Sequence, residues 1–159
     1  MSIDKVLLDT TYLLPVFEIE TNKFSKRDLE LLLDSGIELF FNPISLIEIK
    51  WVLIRLTKRD KRKLGLLRKV YNESVDYLLC CEEIKPTILL NGEICRLEDI
   101  LYDAGIKDYF DRIIMATAKV FTGRLLTEDD DLADVVKNLK EFEDLEVLNW
   151  RQLVKTLKR

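Results

Sequence analysis

Apolar residues fall into two kinds of run along this chain, and their alternation predicts the layout. Short apolar runs sit at Val6–Leu8, at Ile37–Phe41 (interrupted by Glu38), within Arg124–Thr127 and at Leu145–Leu148 (interrupted by Glu146). Each is too short for a helix and has at least two consecutive apolar residues, as in a strand buried on both faces. Between them, apolar residues recur every three or four positions, the spacing of a helix with one buried face. Ser25 is placed to cap a helix reaching about Asp34, which Gly36 ends. Asn42-Pro43 opens another that continues to Leu56, with Asn as cap and Pro in the first turn. Further helices are expected over Lys61–Leu79, Leu89–Tyr102, Tyr109–Phe121 (capped by Asp108, ended by Gly123), Asp130–Leu139 and Arg151–Leu157. Strands alternating with helices predict an α/β fold: a three-layer α/β/α sandwich around a central, mainly parallel sheet.

With 159 residues, 48% hydrophobic and 34% charged, the chain can bury a real core, and no linker or repeat divides it. One domain over residues 1–159 is expected. No apolar run approaches the ~18–20 residues of a membrane span, so the expectation is a soluble, cytoplasmic protein with no membrane partner. Three cysteines and no histidine argue against a disulfide framework and the usual zinc sites. The missing histidine also removes Ser-His-Asp and Cys-His machinery. Catalysis is left to carboxylates, hydroxyls, Lys, Arg, Tyr or a bound metal.

In open parallel sheets, ligands sit just beyond the carboxyl ends of the strands. Two predicted strands end there in acids: Val6–Leu8 delivers Asp9, and Leu125–Thr127 delivers Glu128, Asp129, Asp130 and Asp131. Either alone reads as well as a helix cap or a charge answering a helix dipole; two at one edge shift the balance. Glu48 projects from a largely apolar helix face beside Ile44, Trp51 and Val52, where an unpaired carboxylate is costly. A capping box over Ser45–Glu48 or a pair with Arg55 would explain it structurally. Asp111 lies in the first turn of its helix, and Ala116 and Ala118 let that helix approach the sheet closely. Four separated acids directed at one pocket suit a hard divalent cation such as Mg²⁺ or Mn²⁺.

Taken in order, these stretches resemble the PIN-domain family of metal-dependent ribonucleases. V-L-L-D-T-T-Y-L-L (Val6–Leu14) is similar to that family's opening strand and first acid, and P-I-S-L-I-E-I-K-W-V-L (Pro43–Leu53) to the helix with its second. D-R-I-I-M-A-T-A (Asp111–Ala118) resembles the family's D-x-L-I-A-A-T-A helix, L-L-T-E-D-D-D-L (Leu125–Leu132) its L-L-T-x-D-x-x-F turn, and L-E-V-L-N-W its final strand. Leu132 stands where the family carries an aromatic residue. The resemblance implies Asp9, Glu48, Asp111 and Asp129 as catalytic, metal-holding acids, with Asp131 secondary and Thr10 and Thr127 as polar support. It also implies hydrolysis of RNA with Mg²⁺ or Mn²⁺, and, in a VapC-type toxin, an antitoxin partner. A housekeeping RNA-processing nuclease and a non-catalytic module binding RNA or protein are the alternatives.

A net charge of −4 opposes an RNA substrate when taken as a sum, but the four candidate site acids alone account for as much. Lys58, Arg59, Lys61, Arg62 and Lys63 form a basic run suited to phosphate, and Arg112 and Arg124 adjoin the site motifs. The same run reads structurally as a solvated junction between helices. A homodimer is expected from the family resemblance and from Trp51, Leu53, Ile54 and Leu56, which leave the Pro43–Leu56 helix apolar on more than one face.

Overall fold

A computed structural model describes residues 3–58 and 60–157. Five strands, β1 (Lys5–Leu8), β2 (Glu38–Phe41), β3 (Ile84–Pro86), β4 (Arg124–Leu126) and β5 (Glu146–Leu148), pair in the order β3-β2-β1-β4-β5, every pair parallel. Eight helices join them: α1 (Thr10–Leu13), α2 (Lys26–Leu33), α3 (Ile44–Thr57), α4 (Leu64–Cys80), α5 (Gly92–Asp103), α6 (Tyr109–Phe121), α7 (Asp130–Val136) and α8 (Trp150–Leu157). The sandwich predicted from the pattern is the one observed.

The pleat of β1 shows how the layers form. Val6 and Leu8 enter one core with Tyr12, Phe17, Phe24, Leu78 and Leu153; Leu7 enters the other with Leu97, Leu101, Ile113, Met115 and Phe142. All three strand residues are 0% exposed, so the run has no polar alternation because neither face meets water. Ala116 and Ala118 are fully buried where α6 packs on β1 and β4, as their small size predicts.

Several boundaries depart from expectation for local reasons. Ile84–Pro86 is a strand the pattern did not mark: it is three residues long, and its proline is tolerated because β3 lies at the sheet edge. The helix expected from Leu89 starts at Gly92, where the Asn91 side chain accepts the Ile94 N–H. The helix expected from Lys61 starts at Leu64, and that expected over Asp130–Leu139 ends at Val136. Ser25 and Asp28 form a reciprocal capping box on α2. The box considered at Ser45–Glu48 is absent, because α3 begins at Ile44 and Glu48 already lies inside it.

Asn42 fixes the entry to α3. Fully buried, it accepts the Ile44 N–H at 2.8 Å and donates to the Leu89 carbonyl at 3.0 Å and the Thr117 hydroxyl at 2.8 Å. One side chain thus joins α3, the segment after β3, and α6. Replacing Asn42 with Ala strands a buried carbonyl and amide, each worth about 1–3 kcal/mol. Urea titration should show Asn42→Ala destabilised by about 2–4 kcal/mol, a loss that Asn42→Asp recovers only in part, because a carboxylate keeps the cap but not the donors.

Candidate functional site

In this strand order the chain moves from β1 to β2 and β3 on one side, then returns to β4 and β5 on the other. The two halves part between β1 and β4, so a crevice opens beyond their carboxyl ends. A cavity of about 670 Å³ occupies it, lined by Asp9, Glu48, Asp111, Glu128, Asp129, Asp130 and Asp131, with Thr10, Thr11, Thr21 and Lys23. Acids up to 122 positions apart (Asp9 to Asp131) meet because four different elements end or pass there.

Asp9, Glu48 and Asp129 are each held by hydrogen bonds. Asp9 caps α1: one carboxylate oxygen accepts the Thr10 N–H at 2.7 Å, and the other accepts the Thr127 hydroxyl at 2.7 Å. Glu48 accepts the Thr10 hydroxyl, which also lies 3.0 Å from the Ser45 hydroxyl. Thr10 and Thr127, both buried, therefore orient the two acids nearest the sheet. Asp129 caps α7 through Oδ1, which accepts the Asp131 N–H at 2.9 Å and the Leu132 N–H at 3.3 Å. Asp129, Asp130 and Asp131 are exposed at the rim, while Asp9, Glu48 and Asp111 are partly buried.

Burial and crowding change the acids' affinity for protons. Desolvation raises the Asp9 pKa, against hydrogen bonds from Thr127 and Thr10 and with the charges of Asp129 and Asp108 adding to the rise. Glu48 is raised for the same first reason, and the Thr10 hydrogen bond and distant Arg55 only partly offset it. Asp111 is pushed up to about 7 by desolvation and by the charges of Asp9, Asp108, Glu48 and Asp129. Arg55 makes no ion pair with Glu48 among the described residues; Thr10 takes that place.

A model of the PIN domain matches residues 6–138. The chain belongs to the PIN domain family. No curated protein matches the chain in sequence. Among solved structures, this PIN domain is similar to VapBC2 from Rickettsia felis bound to a DNA fragment from their promoter. The likeness has a TM-score of 0.59 at 16% identity and covers 92% of this chain and 98% of that one. At that identity the likeness is one of fold.

The donor set of the PIN domain is carboxylate oxygen, which fits Mg²⁺ or Mn²⁺ better than softer metals. Among the described residues no group of three acids or thiols already forms a metal cage. Both Asp9 oxygens and one Glu48 oxygen accept hydrogen bonds from hydroxyl or amide donors.

Arg112 requires a correction. It is 7% exposed, ion-paired with Glu98, and its Nη1 donates to the Ile106 and Lys107 carbonyls at 2.8 and 2.7 Å. Tyr102 and Tyr109 lie 5.0 and 5.4 Å from its guanidinium. A side chain so enclosed ties α6 to α5 and is not presented to a nucleic acid. Arg124 lies at the opposite end of β4 from the acids and pairs with Glu146 at 2.7 Å. Lys58, Lys61, Arg62 and Lys63 are exposed between α3 and α4, outside the cavity lining, and Arg59 lies outside the described residues. Sequence reasoning missed Lys23 and Asp108 as electrostatic neighbours of the acids, and Tyr12 and Asn42 as their supports. The sequence marked Asp108 and Asn42 as helix caps, but their bearing on the acids depends on tertiary packing.

The Asp111 shift gives a prediction with a definite sign. In the native state without metal its carboxyl keeps its proton to about pH 7, but in the unfolded chain only to about 3.8. The native state therefore binds the extra proton between those values, and stability falls as pH rises through that window. Asp111→Asn should lack this slope. In chelator at pH 8 it should be as stable as the parent or more so, by on the order of 1–2 kcal/mol after solvent screening. That exceeds the roughly 0.3–1 kcal/mol a first-turn acid gains from the helix dipole. Thermal melts from pH 4 to 8 check it; a variant melting clearly lower at pH 8 would make Asp111 a helix-start charge only.

Proposed function

We propose that this PIN domain, one domain from residue 1 to 159, is a Mg²⁺- or Mn²⁺-dependent endoribonuclease. The observation that carries the reading is the convergence of Asp9, Glu48, Asp111 and Asp129, from four separate segments, on one cavity at the sheet's switch point. These four would hold the cation, with Asp131 at the rim as a further oxygen donor. Bound there, the ion supplies an acidified water and neutralises charge at the phosphate. The chain's own part is positioning. Thr127 and Thr10 aim Asp9 and Glu48, and the Asn42–Thr117 bond holds the helices of Glu48 and Asp111 together.

Among the described residues Lys23 is the one basic residue lining the cavity. Its ammonium donates to the Glu128 carbonyl at 3.2 Å, a neutral acceptor that leaves its charge for a phosphate. Lys58, Lys61, Arg62 and Lys63 begin about 15 Å further along α3 from Glu48, counted at 1.5 Å per residue, and would receive the RNA strand beyond the cleaved bond.

The reading extends to partners. Ile47, Trp51 and Ile54, spaced as one helix stripe, are 51%, 56% and 40% exposed on α3 and support self-association as a homodimer. Leu53, counted with them from sequence, is 5% exposed and belongs to the core. A toxin role with an antitoxin covering the cavity is the form of the function that the VapBC2 likeness favours, acting in the cytoplasm. Among the described residues no helix is long and apolar enough to cross a membrane.

Structured RNAs incubated with the protein and Mn²⁺ or Mg²⁺ should be cut internally, and chelator should stop the reaction. Asp9→Asn should lower the rate by about 100-fold or more, since even residues that merely support a metal are worth roughly 10–100-fold. RNA that is bound but never cut, under either metal, would favour the non-catalytic module. Light scattering that reports a monomer at high micromolar concentration would remove the homodimer.

A further inference from the structure

Four acids follow β4 in sequence, and one of them is built into the interior. Glu128 Oε1 accepts the hydroxyl of Tyr12, a fully buried phenol, and the backbone N–H of Trp150 at 3.0 Å. Its carbonyl accepts the Lys23 ammonium. Trp150 Nε1 in turn donates to Asp28 at 3.1 Å. The Phe24 ring stands edge-on to both aromatics, 4.7 Å from Tyr12 and 5.1 Å from Trp150. A single carboxylate therefore fastens together the segments that leave β1, β4 and β5, three strands adjacent in the sheet. Hydrogen bonds to a charged acceptor are about twice as strong as neutral ones, so this is a firm tie at that end of the sheet.

The residues on either side of Glu128 are in the site. Thr127 donates to Asp9 at 2.7 Å, and the Asp129 N–H donates to the Thr127 hydroxyl at 3.2 Å. We propose that Glu128 is a positioning residue: clamped by Tyr12 and Trp150, it fixes the Thr127–Asp129 turn so that Thr127 meets Asp9 and Asp129 faces the cavity. Glu128 lines the cavity too, but as an anchor it holds no cation itself. The inference rests on the metal-site reading above.

The test separates an anchor from a ligand, because a glutamine oxygen accepts the same two hydrogen bonds but replaces a carboxylate poorly as a metal donor. Mn²⁺ affinity is measured by calorimetry for the parent, Glu128→Gln, Glu128→Ala, Tyr12→Phe and Asp9→Asn, and amide exchange over residues 127–131 is followed in chelator. Glu128→Gln should stay within about threefold of the parent. Glu128→Ala and Tyr12→Phe should each weaken Mn²⁺ binding about tenfold, the scale for supporting residues, and speed amide exchange in that turn. Tyr12→Phe keeps the aromatic packing, so it still reports if Glu128→Ala fails to fold. Glu128→Gln falling as far as Glu128→Ala, with Tyr12→Phe like the parent, would make Glu128 a ligand and overturn the proposal. Glu128→Ala and Tyr12→Phe both matching a parent whose binding Asp9→Asn abolishes would overturn it while leaving the metal site standing. A parent that takes up no Mn²⁺ would end both.

Discussion

Carboxylates gathered at one edge of a sheet repel one another, and the architecture around this cavity answers that repulsion. Two unit charges about 5 Å apart interact by about 3 kcal/mol at an effective dielectric of about 20. Left alone, such a cluster would push its helices apart or take up protons. Asp111, raised to about 7, records the second response. The first is prevented by hydroxyl and amide donors set against the inner acids, and by Asn42, which holds α3 to α6 through Thr117. Buried threonines matter here because a hydroxyl can turn to whichever partner needs it.

The same constraint explains why the site stands at β1 and β4. Those strands lie inside the sheet, are buried on both faces, and are followed by strands on opposite sides, so their ends can be crowded without exposing the core. An edge strand such as β3 could not carry this load. Its three residues include a proline and two that are exposed.

Much of the fold was legible because buried parallel strands are written as short, mostly apolar runs, Glu38 at the exposed start of β2 being an interruption. Val6–Leu8 and Ile37–Phe41 needed no context, and neither did Tyr109–Phe121 with its Asp cap and Gly stop. Ile84–Pro86 was illegible because an edge strand gains its hydrogen bonds from one neighbour and needs little apolar pattern. Of the candidate acids, Asp9, Glu48, Asp111, Asp129 and Asp131 all line the cavity, since each followed a strand or sat on a helix face packed towards its end. Arg112 misled because adjacency in sequence to a site acid says nothing about direction: one residue on from Asp111, the helix has turned about 100° and faces α5. Glu128 was hidden inside a run of like residues, distinguishable only by its partners Tyr12 and Trp150.

The parallel order of the sheet also governs when the site comes into being. Asp9 and Thr127 are 118 residues apart, and β1 gains its partner on that side only when β4 exists. Contacts of such separation form late, after the entropy of closing the intervening loop has been overcome. A chain emerging from the ribosome can pair β1 with β2 and β3 and shape much of one core, yet it has no crevice and no facing acids until β4 and the turn after it have been made. Whatever chemistry the cavity performs is therefore withheld during synthesis. Asp9 and Glu48 are made early, and the crevice that gathers them with Asp111 and Asp129 is completed late.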